Sequence, residues 1–149
     1  MLLKRALFCT AMLVAATSPA VAEEKVHRLA LQVSDGTADK MTAVLNVAGN
    51  VARLYADKGE EVEIRIVAFN AGLNMLRTDK SPVLERLKSI SESMPNVTFE
   101  ACNNTRLGMA KAEGKKPEEI PIFVRAAIVE AGVVSLIELA EKGWVIVRP

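Results

Sequence analysis

Few residues in this sequence could do covalent chemistry, since it has two cysteines and one histidine. Cys102 stands out by its position. It follows an apolar run, Val97-Thr98-Phe99-Glu100-Ala101, and precedes Asn103, Asn104 and Thr105. A thiol placed where a strand hands over to a helix meets free N–H groups and the positive end of a helix dipole. Both stabilise the thiolate, lower the pKa and raise the nucleophilic fraction. Asn103, Asn104 and Thr105 can cap such a helix and supply further hydrogen bonds. The same position also fits a buried, inert thiol, because free cysteine is among the most buried residue types.

Two other junctions would meet Cys102 at the carboxyl ends of parallel strands, Ser34-Asp35-Gly36-Thr37 and Asn70-Ala71-Gly72. Asp35 reads as a ligand-positioning carboxylate or as the cap of the helix that follows. Asn70 and Gly72 read as binding residues or plain turn residues. Glu130 stands at a similar junction, as a cleft or solvated carboxylate. His27 lies ahead of the first strand, where it is a surface histidine or, alternatively, a relay partner for the thiol. Met75 and Met109 are spaced for packing. With so few Cys and His residues there is no zinc-ligand spacing, and no glycine-rich phosphate loop is present. No cofactor or metal is therefore expected.

Composition bounds the setting of that chemistry. The chain has 149 residues, 50% hydrophobic and 25% charged, with 19 basic against 18 acidic side chains. Such a length predicts one domain, and the apolar content excludes a disordered chain. Near-neutral charge leaves no electrostatic footprint for nucleic acid. Residues 1–22 read as an export signal: Lys4 and Arg5, an apolar run over 6–16, and Ala20-Val21-Ala22 at the cleavage site. That run is too short to cross a bilayer, so no membrane span is expected once the leader is removed. The expected location is the periplasm in a Gram-negative cell. Removal would take Cys9 with it, leaving Cys102 as an odd thiol in an oxidising compartment.

The remaining residues, 23–149, alternate strand and helix patterns. Strands are predicted at 29–33, 62–68, 97–101, 126–129 and 144–147. A long apolar stripe, Met41, Val44, Leu45, Ala48, Val51, Ala52 and Tyr55, marks the first helix, which Gly59 stops. Gly49 inside it predicts a close contact with a neighbouring element. A short helical turn is expected at 73–77. Ser81 and Pro82 read as the N-cap and first residue of a second helix. A third, short helix follows Cys102-Asn103-Asn104-Thr105 through Glu113 and ends at Gly114, and a fourth carries Val133, Leu136, Ile137 and Ala140. The 115–121 segment, of mixed charge, reads as a solvated loop with one helical turn at most. This order predicts one α/β domain, a mostly parallel five-stranded sheet with helices on both faces.

Several segments resemble the DsrE/DsrF-like family. They are Leu-Gln-Val-Ser-Asp at 31–35, Ala-Phe-Asn-Ala-Gly-Leu-Asn-Met-Leu at 68–76, and Val-Thr-Phe-Glu-Ala-Cys-Asn-Asn-Thr at 97–105. Gly-Val-Val-Ser-Leu-Ile-Glu-Leu at 132–139 and the Gly-Trp-Val-Ile-Val-Arg-Pro ending at 143–149 add to them. The resemblance implies a small five-stranded α/β fold that assembles into trimers or hexamers. It also implies sulfur carriage, since several members hold sulfur as a persulfide on a cysteine after the third strand. Cys102 occupies that position. The expected role is a sulfur-trafficking protein with donor or acceptor partners. The alternative is a non-catalytic homo-oligomeric module that binds a small anionic or sulfur-containing ligand.

Overall fold

The computed structural model describes residues 25–149; the expected leader at 1–22, with Cys9, lies outside the described residues. The strands are β1 (His27–Val33), β2 (Val62–Ala68), β3 (Val97–Cys102), β4 (Ala126–Val129) and β5 (Val145–Val147). The helices are α1 (Ala38–Asp57), α2 (Leu84–Ser93), α3 (Asn103–Glu113) and α4 (Gly132–Glu141), with 3-10 segments at Asn70–Leu76 and Pro117–Glu119. The five strands form one sheet in the order β4-β3-β2-β1-β5. Every pairing is parallel, so the expected α/β architecture is the one observed.

The strand order dictates which face each helix covers. From β1 to β4 the chain steps steadily toward one edge, and right-handed crossovers keep α1, α2 and α3 on one face. The last connection runs back from β4 to the far edge at β5, which sends α4 to the opposite face. Burial divides in the same way. Leu31, Ile64, Ile66 and Phe99 pack with Met41 and Leu45 of α1 and Leu87 of α2. On the other face Ala30, Val67, Phe69 and Cys102 pack with Leu136 and Leu139 of α4. Each fully buried aliphatic side chain contributes about 1.5–3 kcal/mol, so the three-helix face holds most of the core. A single helix cannot cover five strands. Arg28, Glu63 and Thr98, which alternate onto the α4 face, are accordingly exposed, and Arg28 Nε bonds Glu63 Oε2 at 3.2 Å.

Local chemistry sets the element ends, with three departures from expectation. Asp35 does not cap α1. Thr37 does, accepting from the Lys40 N–H at 3.4 Å, while Asp35 Oδ1 accepts from the Thr37 N–H at 2.9 Å and holds the preceding turn. Ser81 and Pro82 form a turn rather than the first residues of α2. The Ser81 hydroxyl accepts from the Val83 N–H at 3.3 Å, and Val83, with φ −122°, is the helix N-cap. Gly49 has no tight neighbour: a Cβ there would meet only the terminal methyl of Met94, at 3.9 Å. The close approach is instead at Gly72, where a Cβ would fall 2.3 Å from the Val33 carbonyl oxygen. That contact binds the turn after β2 to the end of β1.

The two glycines therefore predict opposite outcomes. Gly49→Ala raises stability by about 1 kcal/mol through helix propensity, and Gly72→Ala lowers it by about 1–3 kcal/mol through a backbone clash. Denaturant midpoints measure both.

Candidate functional site

The direction change in the topology lies between β3 and β4. The chain leaves β3 into α3 on one face and leaves β4 into α4 on the other. Open parallel sheets leave a crevice beyond the carboxyl ends of such a strand pair. Cys102 is the last residue of β3 and the N-cap of α3, in extended conformation (φ −66°, ψ 116°). Its side chain points to the α4 face, packed among Phe69, Val67 and Leu136. Gly132, the first residue of α4, lies directly against it: a Cβ on Gly132 would come 3.1 Å from the Phe69 ring and 3.4 Å from the Cys102 Cβ. Two helix N-termini thus converge on one sulfur.

The thiol is 5% exposed. Burial pushes its pKa up, because a thiolate loses hydration there. The Thr105 hydroxyl and the backbone N–H groups of Gly132, Thr105 and Asn104 favour the thiolate and together outweigh burial, holding the thiol below its ordinary value. The first turn of α3 is anchored from two sides. The Asn104 N–H donates to the Glu130 carbonyl at 3.2 Å. The Thr105 hydroxyl accepts from the Asn70 N–H at 3.0 Å. Asn70 takes a left-handed backbone (φ 50°), which asparagine tolerates better than most residues and which aims its N–H at Thr105.

The sulfur opens into a cavity of about 620 Å³ lined by Phe69, Asn70, Asn104, Thr105, Met109 and Val133, with small residues Gly108, Ala112, Ala131 and Gly132 between them. This volume lies in the range of ligand sites, about 300–1,000 Å³. No lining side chain is formally charged, so the thiolate and the helix ends set the electrostatics of the cavity.

Of the residues singled out from the sequence, Cys102, Asn104, Thr105 and Asn70 line this cavity. Asn103, half-buried, does not line it. Gly72 is fixed against Val33, and Asp35 lines a separate crevice with Lys40 and Arg148. Hydrogen bonds from Thr37 hold the Asp35 carboxyl below the usual carboxylate range. His27 begins β1, at the end of the sheet away from Cys102, about 20 Å off by strand length. It bonds Glu60 Oε2 at 2.8 Å and stacks on Tyr55 with ring centroids 4.2 Å apart, so the relay reading is excluded. Glu130 is exposed and does not line the Cys102 cavity. Met109 both packs on the core and lines the cavity. Among the described residues, no group of three or more His, Cys, Asp or Glu side chains could hold a metal ion.

The sequence reading missed Phe69, Gly132 and Arg77. Phe69 borders the thiol because it continues β2 alongside Cys102, and Gly132 because α4 folds back over the sheet. Arg77, 1% exposed, bonds Asp79 Oδ2 at 2.7 Å and Glu113 Oε1 at 2.5 Å, fastening the last turn of α3. Hydrogen bonds from Arg77, Lys80 and Lys115 hold Glu113 well below the usual carboxylate range. A Lys or Arg exactly one helical turn away would have been legible; this pair is 36 residues apart.

No protein-family model and no curated protein matches the chain. Among solved structures it is similar to the protein of unknown function MTH1491 from Methanobacterium thermoautotrophicum. The two share 26% identity with a TM-score of 0.65, over 83% of this chain and 99% of that one. The likeness is one of fold.

Thr105 generates a direct prediction. Thr105→Val removes the hydroxyl from both Cys102 and the Asn70 N–H. It should lower stability by about 1 kcal/mol and move the pH midpoint of Cys102 alkylation upward. An unmoved midpoint would show that the hydroxyl has no part in stabilising the thiolate.

Proposed function

We propose that this protein carries sulfane sulfur as a persulfide on Cys102. The observation that carries the reading is the convergence of the α3 and α4 N-termini on a cavity-facing thiol whose pKa is held down. The Cys102 thiolate attacks the outer sulfur of a persulfide donor, R–S–SH. A sulfur–sulfur bond forms to Cys102, the donor's own sulfur–sulfur bond breaks, and R–S⁻ leaves with the electron pair. The proton of the donor stays on the transferred sulfur. No oxidant and no separate base is needed. Transfer to an acceptor thiolate is the same exchange run in the other direction, with Cys102 as the leaving thiolate. The backbone N–H groups that favour the thiolate are placed to favour it again as leaving group.

The resemblance to DsrE/DsrF-like proteins points the same way and adds an exported location, a donor or acceptor partner and a trimeric or hexameric assembly. Among the described residues no helix is long and apolar enough to cross a membrane. Val133, Val134 and Ile137 of α4 are each about half exposed, an apolar helix face suited to contact with a second copy. The same N–H groups also suit a second reading, a binding module for a small anion in which the thiol is not used.

Intact mass separates the two. After incubation with an organic persulfide or polysulfide, the protein should gain the mass of one sulfur, reversed by a thiol reductant and absent in Cys102→Ser. No adduct with any donor, together with ligand binding that survives Cys102→Ser, would favour the binding module instead.

A further inference from the structure

Under α4 lies a buried carboxylate that sulfur transfer does not use. Glu100 stands two residues before Cys102 on β3, so both side chains point to the α4 face. It is 7% exposed. One oxygen is 3.1 Å from Arg65 Nη1 of β2, and the other accepts a hydrogen bond from the Ser135 hydroxyl of α4. Arg65 is itself steadied by the Trp144 ring, 4.9 Å from its guanidinium carbon. The Ser135 N–H bonds the Ala131 carbonyl at 3.0 Å, so Ser135 sits one turn from the start of the helix. Elsewhere α4 meets the sheet through apolar contacts of Leu136 and Leu139 and the close approach of Gly132 to Phe69 and Cys102, none of which is a directional bond. A directional bond to a buried charge fixes its position along the axis.

We propose that the Glu100–Ser135 hydrogen bond is a positioning device that holds the N-terminus of α4 against Cys102. It deepens the sulfur-carriage reading, because it assigns the alignment of one of the two converging helices to a named pair. Glu100 and Ser135 are positioning residues: both line a separate crevice of about 190 Å³, and neither lines the Cys102 cavity. The charged groups lining that crevice are Arg65, Glu100 and Glu130, with Glu138 on the helix and Lys142 at its C-cap. Of the α3 side, Arg106 is one turn beyond Cys102 and does not line the cavity either. Ser135→Ala leaves all these charges in place, so a change in the thiol would report position.

The experiment is the pH–rate profile of Cys102 alkylation in the full folded protein. Ala is the strongest helix former, so α4 persists in Ser135→Ala. With the Gly132 N–H released, the midpoint should rise by about one pH unit, roughly a tenfold loss of thiolate at neutral pH. Ser135→Thr, which keeps the hydroxyl, should restore the wild-type midpoint. An unchanged midpoint in Ser135→Ala, or a Thr variant that behaves like Ala, overturns the inference. A wild-type midpoint at or above that of an ordinary cysteine would overturn the thiolate basis of sulfur carriage as well, so the two failures are distinguishable.

Discussion

The chain leaves β3 and β4 on opposite faces of the sheet, and the rest of the site depends on that divergence. Had the fourth crossover continued in the direction of the first three, α4 would lie beside α3 and its N-terminus would point away from Cys102. The return to β5 at the far edge instead carries α4 back across β3, β2 and β1. One residue at the end of β3 then meets the first turns of two helices. Short-range requirements follow from that approach. A Cβ at residue 132 would crowd the Phe69 ring, and Asn70, two residues past β2, must turn its N–H toward Thr105.

Two opposing effects act on the thiol. Burial among Phe69, Val67 and Leu136 disfavours the charged sulfur, and taken alone it is the largest influence. The hydroxyl and the three backbone N–H groups are individually smaller but act in the same direction, and their sum prevails. Low local polarity also strengthens each of those contacts, so burial partly offsets its own penalty. The balance needs both helices fixed. At its far end α3 is fastened by the Arg77–Glu113 pair, and near its start α4 is fastened by Ser135 on Glu100.

The fold was largely legible because its signals are local. Apolar runs for the strands, the stripe of α1 and the Asn-rich start of α3 each declare themselves within a few residues. Element ends were less legible: Ser81-Pro82 has the composition of a helix start, yet Val83 is not helical and the pair makes a turn. Cys102, Asn104 and Thr105 were visible as a site because they fall within four residues at a junction. Phe69, Gly132, Glu100 and Arg77 were not, because their roles come from contacts between residues 30 or more apart in sequence. Asp35 and Gly72 illustrate the converse. Both sit at strand ends with suitable chemistry, but Thr37 and Val33 occupy them structurally.

The account rests on Cys102 being a stabilised thiolate open to a cavity rather than an inert core thiol. The rate of its alkylation by a small neutral reagent at neutral pH, compared between the native and the unfolded chain, tests this most directly. The account predicts that the native thiol reacts at least as fast as the unfolded one, its larger thiolate fraction offsetting its limited exposure. A native thiol that stays silent and reacts only when the protein unfolds would contradict it.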